Sequence, residues 1–259
     1  MTTTRPITSF TCLTFDCFGT LVDWEGGIYK ALSPLTRDLP ASHPLHNDRS
    51  ATLRAFIRLE GEVQRSRPNA LYYSVLAETY GNLATELGVE TNEEDKAKFG
   101  TSVGDWPVYP DTIDALKRLH KHFKLVILSN VDRDSFKRTL TQQLTGIDFD
   151  AIYTAQEIGS YKPSLNNFEY LIEHCAKDLG VKKEGIIHTA QSLHHDHVPA
   201  MQMGLASAWI ERGVEVESVM GGDIKAYEGK VSYSWHCRSM GEMADAVDAF
   251  MFQANSLDN

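Results

Sequence analysis

The fold follows from one stretch, Phe10–Trp24, which reads FTCLTFDCFGTLVDW. Its first six residues are aromatic, apolar or β-branched, and this composition predicts a buried β-strand. The strand ends at Asp16, and Gly19 and Thr20 follow in a predicted turn. Open α/β sheets bind ligands at the carboxyl ends of their strands, so Asp16 lies where a functional carboxylate is expected. The structural alternative is an aspartate that only caps the turn.

Composition limits the class of protein and of partner. The 259 residues are enough for a large α/β domain with an insertion. A formal charge of -10 argues against nucleic acid or an anionic membrane as a partner, although a cleft can still bind a small anion. We expect no membrane span, and we expect residues 1–9 to be a loose leader without the apolar core of a signal peptide. Four cysteines without a Cys-x-x-Cys pair favour a reduced, cytoplasmic protein.

The segment 21–104 is predicted to be helical throughout. Apolar residues recur there at helical spacing, and nothing in the segment alternates like a strand. A proline, Pro34, is expected to stop the first helix, and Gly88 fits a helix C-cap. The predicted helices are Ile28–Leu35, one through Leu53 and Val63, one from Tyr72 to Leu87, and Asn92–Phe99.

Beyond residue 104, strands are predicted to alternate with amphipathic helices. The predicted strands cover 124–128, 150–154, 185–189 and 206–211, and a late edge strand runs through Val231, Tyr233 and Trp235. Short helices are expected between them, one of them over Asp196–Met203. This alternation predicts an α/β protein with a doubly wound, mainly parallel Rossmann-like sheet. Residues 1–20 and 105–259 form the predicted core, and residues 21–104 form a helical insertion in it.

Polar residues follow four of the predicted strands or their connections. Asp16, the pair Ser129-Asn130, Lys162 and Asp196 each lie at or just beyond the carboxyl end of a strand, so we expect them to converge. Each also has a structural alternative. Ser129-Asn130 and Asp196 suit helix N-caps, and Lys162 suits a solvated loop.

Four segments carry a resemblance to a known family. FDCFGTLVD, LVILSN, SYKPSLNNF and HHDHVPAMQMG, in this order, resemble the four motifs of the haloacid dehalogenase superfamily, and the insertion resembles its helical cap. Phosphatases of the superfamily have a second aspartate two residues after the nucleophile, where this chain has Phe18. A phenyl ring neither donates a proton nor binds a metal. The 2-haloacid dehalogenase branch usually has tyrosine there, so the resemblance implies a dehalogenase without a metal or other cofactor.

The resemblance also implies a role for each matching residue. Asp16 is the nucleophile that forms an ester, and Lys162 holds it ionised. Ser129 and Asn130 bind the substrate carboxylate, and Asp196 orients a water or the lysine. The remaining candidates on the substrate side are Phe18, Thr20, Ser192 and His194. Of these, Thr20 has an equal alternative in holding the first turn.

Several alternatives stay open. Cys17 is a possible thiolate, but an extended chain points it away from Asp16. The four histidines between residues 188 and 197 suit solvated or supporting side chains better than a zinc site. The cap of the dehalogenases supplies an arginine for the halide, and four candidates exist here, none of which aligns securely and most of which suit surface charges on a helix: Arg54, Arg58, Arg65 and Arg67.

Two alternatives to dehalogenation stay open for the function of the chain. One is a phosphatase of a small phosphorylated metabolite, with Mg²⁺ held by Asp16 and Asp196. The other is a non-catalytic or recruited member that binds a small acid or a protein. The expected partner is a small anionic substrate, and the resemblance also implies a homodimer.

Overall fold

The structure, a computed structural model, describes residues 5–213 and 218–257, with side chains described as far as Gln253. Its centre is a six-stranded sheet in the order β3-β2-β1-β4-β5-β6, and every pair of neighbouring strands is parallel. The predicted class, a doubly wound α/β sheet, is therefore confirmed. The strands are β1 (Cys12–Phe15), β2 (Lys124–Ser129), β3 (Ala151–Thr154), β4 (Ile186–Ala190), β5 (Ala206–Ile210) and β6 (Trp235–Cys237).

Strand β1 lies in the middle of the sheet. All four of its residues are buried, as expected for a parallel strand covered on both faces. Its last residue, Phe15, lies opposite Ile127 of β2 on one side and Thr189 of β4 on the other. The chain runs outward from β1 to β3 and then continues from β4 to β6 on the other side. This reversal places a ligand-binding crevice at the carboxyl ends of β1 and β4.

Helices cover the sheet and fill the insertion. Between β1 and β2 the described chain holds helices and no strand, and α4 ends at Gly88 in the left-handed conformation that the C-cap requires. No helix in the described residues is long and apolar enough to cross a membrane. The helices are α1 (Trp24–Ala31), α2 (Ser33–Thr36), α3 (Arg49–Ser66), α4 (Tyr72–Leu87), α5 (Glu93–Thr101), α6 (Thr112–Leu119), α7 (Arg133–Gln142), α8 (Ala155–Ile158), α9 (Leu165–Leu179), α10 (Val198–Gln202) and α11 (Met240–Leu257).

Two of the predicted helices have different bounds. The single helix over Ile28–Leu35 is wrong, because α1 ends at Ala31 and Pro34 lies in the first turn of α2, where a missing N–H costs no hydrogen bond. The helix expected over Asp196–Met203 begins earlier, as a π-helical turn at Leu193–His197 that runs into α10.

The edge strand and the start of the chain also differ from expectation. The last strand begins at Trp235 and not at Val231, since the Ser234 amide makes the first backbone hydrogen bond to β5. At the start of the described chain, Ile7–Ser9 form a 3-10 turn whose isoleucine is buried. That part of the predicted leader is packed, and residues 1–4 lie outside the described residues.

Candidate active site

Lys162 lies at the centre of the candidate active site. Its ammonium donates three hydrogen bonds, to Asp16 Oδ1 at 2.8 Å, to Asp196 Oδ1 at 2.7 Å and to the Leu128 carbonyl at 3.0 Å. An ammonium has three protons, so each of its donors has a partner. All three charged side chains are buried. The structure thus brings together three of the predicted catalytic residues, with two carboxylates on one ammonium.

Thr20 holds the second oxygen of Asp16. Its hydroxyl donates to Asp16 Oδ2 at 2.7 Å and accepts from the Gln191 amide at 3.0 Å. The chain reaches this position through Gly19, whose φ of 102° belongs to the region that glycine favours. Because Thr20 is completely buried and does not line the cavity beside Asp16, substrate binding by Thr20 is wrong. Its contacts assign it to holding the nucleophile in place.

Ser129 and Asn130, at the carboxyl end of β2, differ in whether their polar groups have hydrogen-bond partners. Asn130 binds the backbone of Lys162 with its whole amide: Oδ1 accepts from the Lys162 N–H at 2.7 Å and Nδ2 donates to the Lys162 carbonyl at 3.0 Å. Ser129 is buried, and its hydroxyl has no hydrogen-bond partner in the described protein. Of the two predicted ligands for a substrate carboxylate, Ser129 is the one whose polar group remains unengaged.

A buried histidine supports Asp196. His188 Nε2 lies 2.9 Å from Asp196 Oδ1, and His188 Nδ1 lies 2.9 Å from the Thr14 hydroxyl. Asp196 Oδ2 is buried without a hydrogen-bond partner among the described residues. A histidine on a strand, two residues before the end of β4, gave no sign of this contact in the sequence. The sequence analysis expected solvated or supporting side chains among these histidines, and His188 has the supporting role.

The π-helical turn decides which histidine faces the site. His194 is exposed and lines only the outer cavity, whereas His195 is partly buried and lines the cavity beside Asp16. The substrate-side prediction for His194 thus applies at most to the outer cavity, because the turn places the next residue, His195, beside Asp16. Ser192 lines the cavity as predicted, and its hydroxyl caps the turn by accepting from the His195 amide at 3.1 Å.

Burial and charge act differently on the groups of the site. Burial raises the pKa of Asp16 and the charge of Asp196 adds to this, while Lys162 acts in the opposite direction. Lys162 thus opposes the effect of burial, which is the direction expected of an ammonium that holds Asp16 ionised. Burial also raises the pKa of Asp196, but Lys162 and His188 lower this pKa by more, so that overall it lies below its usual value. Burial raises the pKa of the Cys17 thiol well above its usual value, which argues against a thiolate there.

These residues enclose a small chamber between the sheet and the insertion. The chamber has a volume of about 40 Å³ and opens into an outer cavity of about 770 Å³. Phe18 forms part of its wall and packs edge-to-face against Trp106, with ring centroids 6.2 Å apart. The other residues that line the chamber are Asp16, Trp24, Glu60, Gln64, Tyr72, Ser129, Asn130, Lys162, Ser192, His195, Asp196 and Met220.

The insertion contributes a carboxyl group to this chamber. Glu60 of α3 is 9% exposed, and the Tyr72 hydroxyl donates to its Oε1 at 2.7 Å. Burial raises the pKa of Glu60 to about 7. The sequence contains a signal for this position, because Glu60 lies four residues after Phe56 and three before Val63, on the apolar face of the helix.

None of the four candidate arginines of the insertion lines the chamber. Arg58 pairs with Glu62 and Glu86 on the surface, and Arg65 lines only the outer cavity. Arg54 and Arg67 are exposed. The four arginines thus match the interpretation as surface charges, and the buried face of α3 presents Glu60 to the chamber instead.

A loop from the other end of the chain closes one side of the chamber. Glu25 Oε1 accepts hydrogen bonds from the Ser218 hydroxyl, the Val219 amide and the Met220 amide at 2.7, 2.7 and 2.8 Å. Its Oε2 pairs with Arg49 at 3.0 Å. A buried carboxylate in the first turn of α1 thus fixes the segment that carries Met220 into the chamber. The sequence gave no indication of this link.

The donor set does not fit a resident magnesium ion. Mg²⁺ prefers six oxygen ligands in octahedral geometry. Asp16 and Asp196 both direct Oδ1 to the Lys162 ammonium, and Phe18 offers a phenyl ring. Over residues 5–213 and 218–257, no group of three or more His, Cys, Asp or Glu side chains has the geometry to hold a metal ion. We derive no chemical step through magnesium.

The chain is similar to a family of hydrolases. Residues 10–188 match the sequence model described as haloacid dehalogenase-like hydrolase. No curated protein matches the chain by sequence.

Solved structures with the same fold include several dehalogenases. One L-2-haloacid dehalogenase is 19% identical and has a TM-score of 0.71 over 93% of this chain and 99% of its own. The L-2-haloacid dehalogenase of Xanthobacter autotrophicus is 17% identical, with a TM-score of 0.71 over 93% of this chain and 99% of its own. A defluorinating L-2-haloacid dehalogenase is 20% identical, with a TM-score of 0.69 over 93% and 97%. At these identities the likeness establishes the fold.

Proposed function

Because the chain belongs to the haloacid dehalogenase-like hydrolases, we propose that it hydrolyses the carbon–halogen bond of a short 2-haloacid. The observation that carries the proposal is the pair Asp16–Lys162 beside Phe18. A carboxylate nucleophile is held at the end of β1, and the neighbouring side chain is a phenyl ring. This arrangement suits displacement at carbon, which needs an aligned nucleophile and neither a metal nor an acid at that position.

The proposed first step is an in-line displacement. An oxygen of Asp16 attacks C2 of the substrate, a C–O bond forms, and the C–X bond breaks as the halide leaves with the electron pair. Ser129, whose buried hydroxyl is otherwise unpartnered, binds the substrate carboxylate. Lys162 stays on Asp196 and on the Leu128 carbonyl while Asp16 loses its charge. The product of this step is an ester on Asp16 and a free halide.

The second step returns the enzyme to its starting state. A water attacks the carbonyl carbon of the ester, the 2-hydroxyacid leaves, and the water's oxygen remains in the Asp16 carboxylate. One proton of the water goes to the product hydroxyl and the other is released to solvent. Asp196, fixed by Lys162 and His188, is the predicted residue that orients this water or the lysine.

Two measurements test the proposal. We expect turnover of 2-chloro- and 2-bromoacids, and no turnover of a panel of phosphate esters with or without magnesium. Under single-turnover conditions in ¹⁸O-labelled water, the label should enter Asp16 and not the hydroxyacid, and Asp16→Asn should abolish turnover. Label that appears first in the product would contradict the covalent route. Activity on phosphate esters alone would replace dehalogenation with the phosphatase alternative.

The remaining parts of the proposal concern location and assembly. All four cysteines, Cys12, Cys17, Cys175 and Cys237, are free and buried, which supports a reduced environment such as the cytoplasm. We also propose that the protein acts as a homodimer on a small anionic substrate. Mass measurement in solution tests the assembly.

A further inference from the structure

Glu60 differs from the other two carboxyl groups of the chamber. Asp16 and Asp196 share the ammonium of Lys162. Glu60 is found in no ion pair with another described residue, although it is almost as deeply buried as Asp16. A buried carboxylate without a cation is costly, and such a group usually takes up a proton instead. The mechanism derived above gives this group no part.

A chain of hydrogen bonds fixes the orientation of Glu60. Trp24 Nε1 donates to the Tyr72 hydroxyl at 3.0 Å, so the single proton of that hydroxyl is directed to Glu60 Oε1 at 2.7 Å. Oε1 is thus an acceptor, and Oε2 is the oxygen that remains to carry a proton. All three residues of this chain line the chamber. The insertion therefore presents a prepared carboxyl group to the nucleophile.

The charges of the chamber require that this carboxyl be neutral when an anion enters. Asp16, Asp196 and Lys162 together carry one negative charge, and an ionised Glu60 would make two before the substrate arrives. Lys162 is the only cation that lines the chamber among the described residues, because burial lowers the pKa of His195 to about 4. The titratable groups that face Glu60 are Tyr72 and Tyr161, both with raised pKa values, and, across the chamber, Asp16, Lys162, His195 and Asp196.

We propose that Glu60, in its protonated form, donates a hydrogen bond from Oε2 to the halide that leaves the substrate. This proposal rests on the proposed function. In an in-line displacement the leaving group departs on the side opposite the nucleophile, and Glu60 lies on the insertion while Asp16 lies on the sheet. The halide leaves with its electron pair, and Glu60 keeps its proton and donates only a hydrogen bond. The partial negative charge that develops on the halide then lies beside a hydrogen-bond donor, the Glu60 carboxyl, that is already in position.

Calorimetry with bromide tests this role without turnover. Bromide binding is measured at pH 8 in two buffers of different ionisation enthalpy, which gives the number of protons taken up. Since burial raises the pKa of Glu60 to about 7, the wild type should take up close to one proton per bromide bound at pH 8. Glu60→Gln keeps the shape and a donor without an ionisable proton, so it should bind bromide with no uptake. Glu62→Gln, on the exposed face of the same helix, is the matched control and should behave as the wild type.

Kinetics gives the second readout. For the wild type, kcat/KM on 2-bromopropionate should fall by about tenfold per pH unit above the pKa of Glu60. In Glu60→Gln this alkaline limb should disappear, and in Glu60→Leu kcat should fall because the donor is lost. If Glu60→Gln keeps both the proton uptake and the alkaline limb of the wild type, the role of Glu60 is refuted while dehalogenation stands. If the wild type takes up a proton with bromide and Glu60→Gln does not, but haloacids are not turned over, the anion site stands and the proposed function fails. If bromide does not bind, the role of Glu60 fails, and if haloacids are inert as well, the proposed function fails with it.

Discussion

Asn130 holds the backbone of Lys162 on both sides of the peptide unit, with Oδ1 at 2.7 Å from its nitrogen and Nδ2 at 3.0 Å from its oxygen. The end of β2 thereby fixes the start of the lysine side chain, whose other end joins Asp16 and Asp196. The position of the nucleophile's cation thus depends on an amide that carries no charge.

Replacing Asn130 should reduce the rate by displacing Lys162. Asn130→Ala removes both backbone contacts, and a displacement of about 1 Å at a reacting group can cost ~100-fold, so we expect a fall in kcat toward that size. Asn130→Asp keeps the acceptor and loses the donor, so its kcat should lie between those of the wild type and Asn130→Ala. The check is kcat on a 2-bromoacid, with thermal unfolding to show that the fold persists. A change confined to KM would instead point to direct contact with the substrate.

Removing the ammonium of Lys162 should cost stability as well as activity. Lys162→Met leaves two buried carboxylates unpaired, and breaking a buried pair costs about 3–5 kcal/mol. Urea unfolding should show this loss, and the double variant Lys162→Met/Asp196→Asn should recover part of it. Lys162→Arg should not restore the rate, since a planar guanidinium cannot take the place of a compact ammonium between the carboxylates. A normal unfolding free energy in Lys162→Met would contradict the three contacts described above.

Two buried groups should give the stability opposite dependences on pH. Burial lowers the pKa of His197 from 6.5 to about 4, so between these values the unfolded chain binds a proton that the folded protein does not. The free energy of unfolding should fall as the pH falls through this window, by up to ~1.4 kcal/mol per pH unit.

The carboxyl of Glu60 gives the free energy of unfolding the opposite dependence on pH. Its pKa rises from 4.5 to about 7 on folding, so its contribution to stability is lost as the pH rises between these values. Glu60→Gln should therefore be more stable than the wild type at pH 8, by up to ~3 kcal/mol, and should gain nothing at pH 4. Unfolding in urea across this pH range measures both effects. Equal stabilities of the two proteins at pH 8 would show that Glu60 is not buried as described.

Chelator treatment should leave activity on 2-haloacids unchanged. Lys162 already balances Asp16, and the side chain of Phe18 offers no oxygen to an ion. Phe18→Tyr should keep or raise the activity, whereas Phe18→Asp should lower it and introduce measurable magnesium affinity. Because Phe18 packs on Trp106, Phe18→Leu serves as the control for lost aromatic packing. Loss of wild-type activity with chelator would favour the phosphoryl-transfer alternative.

The link between Glu25 and the loop at Met220 should control substrate affinity. Glu25→Ala removes the acceptor of three hydrogen bonds and the partner of Arg49. We expect KM to rise by at least several-fold, with faster proteolysis near residues 218–222, because the wall of the chamber loosens. Asp38→Ala, an exposed acidic position in the same insertion, is the control and should change neither.

The sequence predicted the parts of the site that follow from strand order. Asp16 follows β1 and Asp196 lies in the turn after β4, so the order of parallel strands brings them to one edge of the sheet, whereas Lys162 reaches that edge from the loop after α8. The family resemblance supplied the expected roles. It did not indicate which side chain of the insertion faces the nucleophile, because helices α3 and α4 are placed by packing and not by a motif.

The contacts that the sequence did not reveal depend on rotation or on distance along the chain. His195 faces the chamber in place of His194 because the π-helical turn moves the inward-facing position along the chain by one residue. Glu25 meets Met220 across 195 positions of the chain, and no local pattern encodes such a contact. Glu60 was readable as a carboxyl on an apolar helical face, but its partner Tyr72 lies on another helix.

The size of the inner chamber limits what can occupy it together with the substrate. A water needs roughly 10–15 Å³, so a chamber of about 40 Å³ holds only a few solvent molecules and excludes a haloacid with its hydration shell. We therefore expect the substrate to enter from the outer cavity and to displace this solvent as it arrives. The water that hydrolyses the ester on Asp16 must then return by the same route, after the halide has left the chamber.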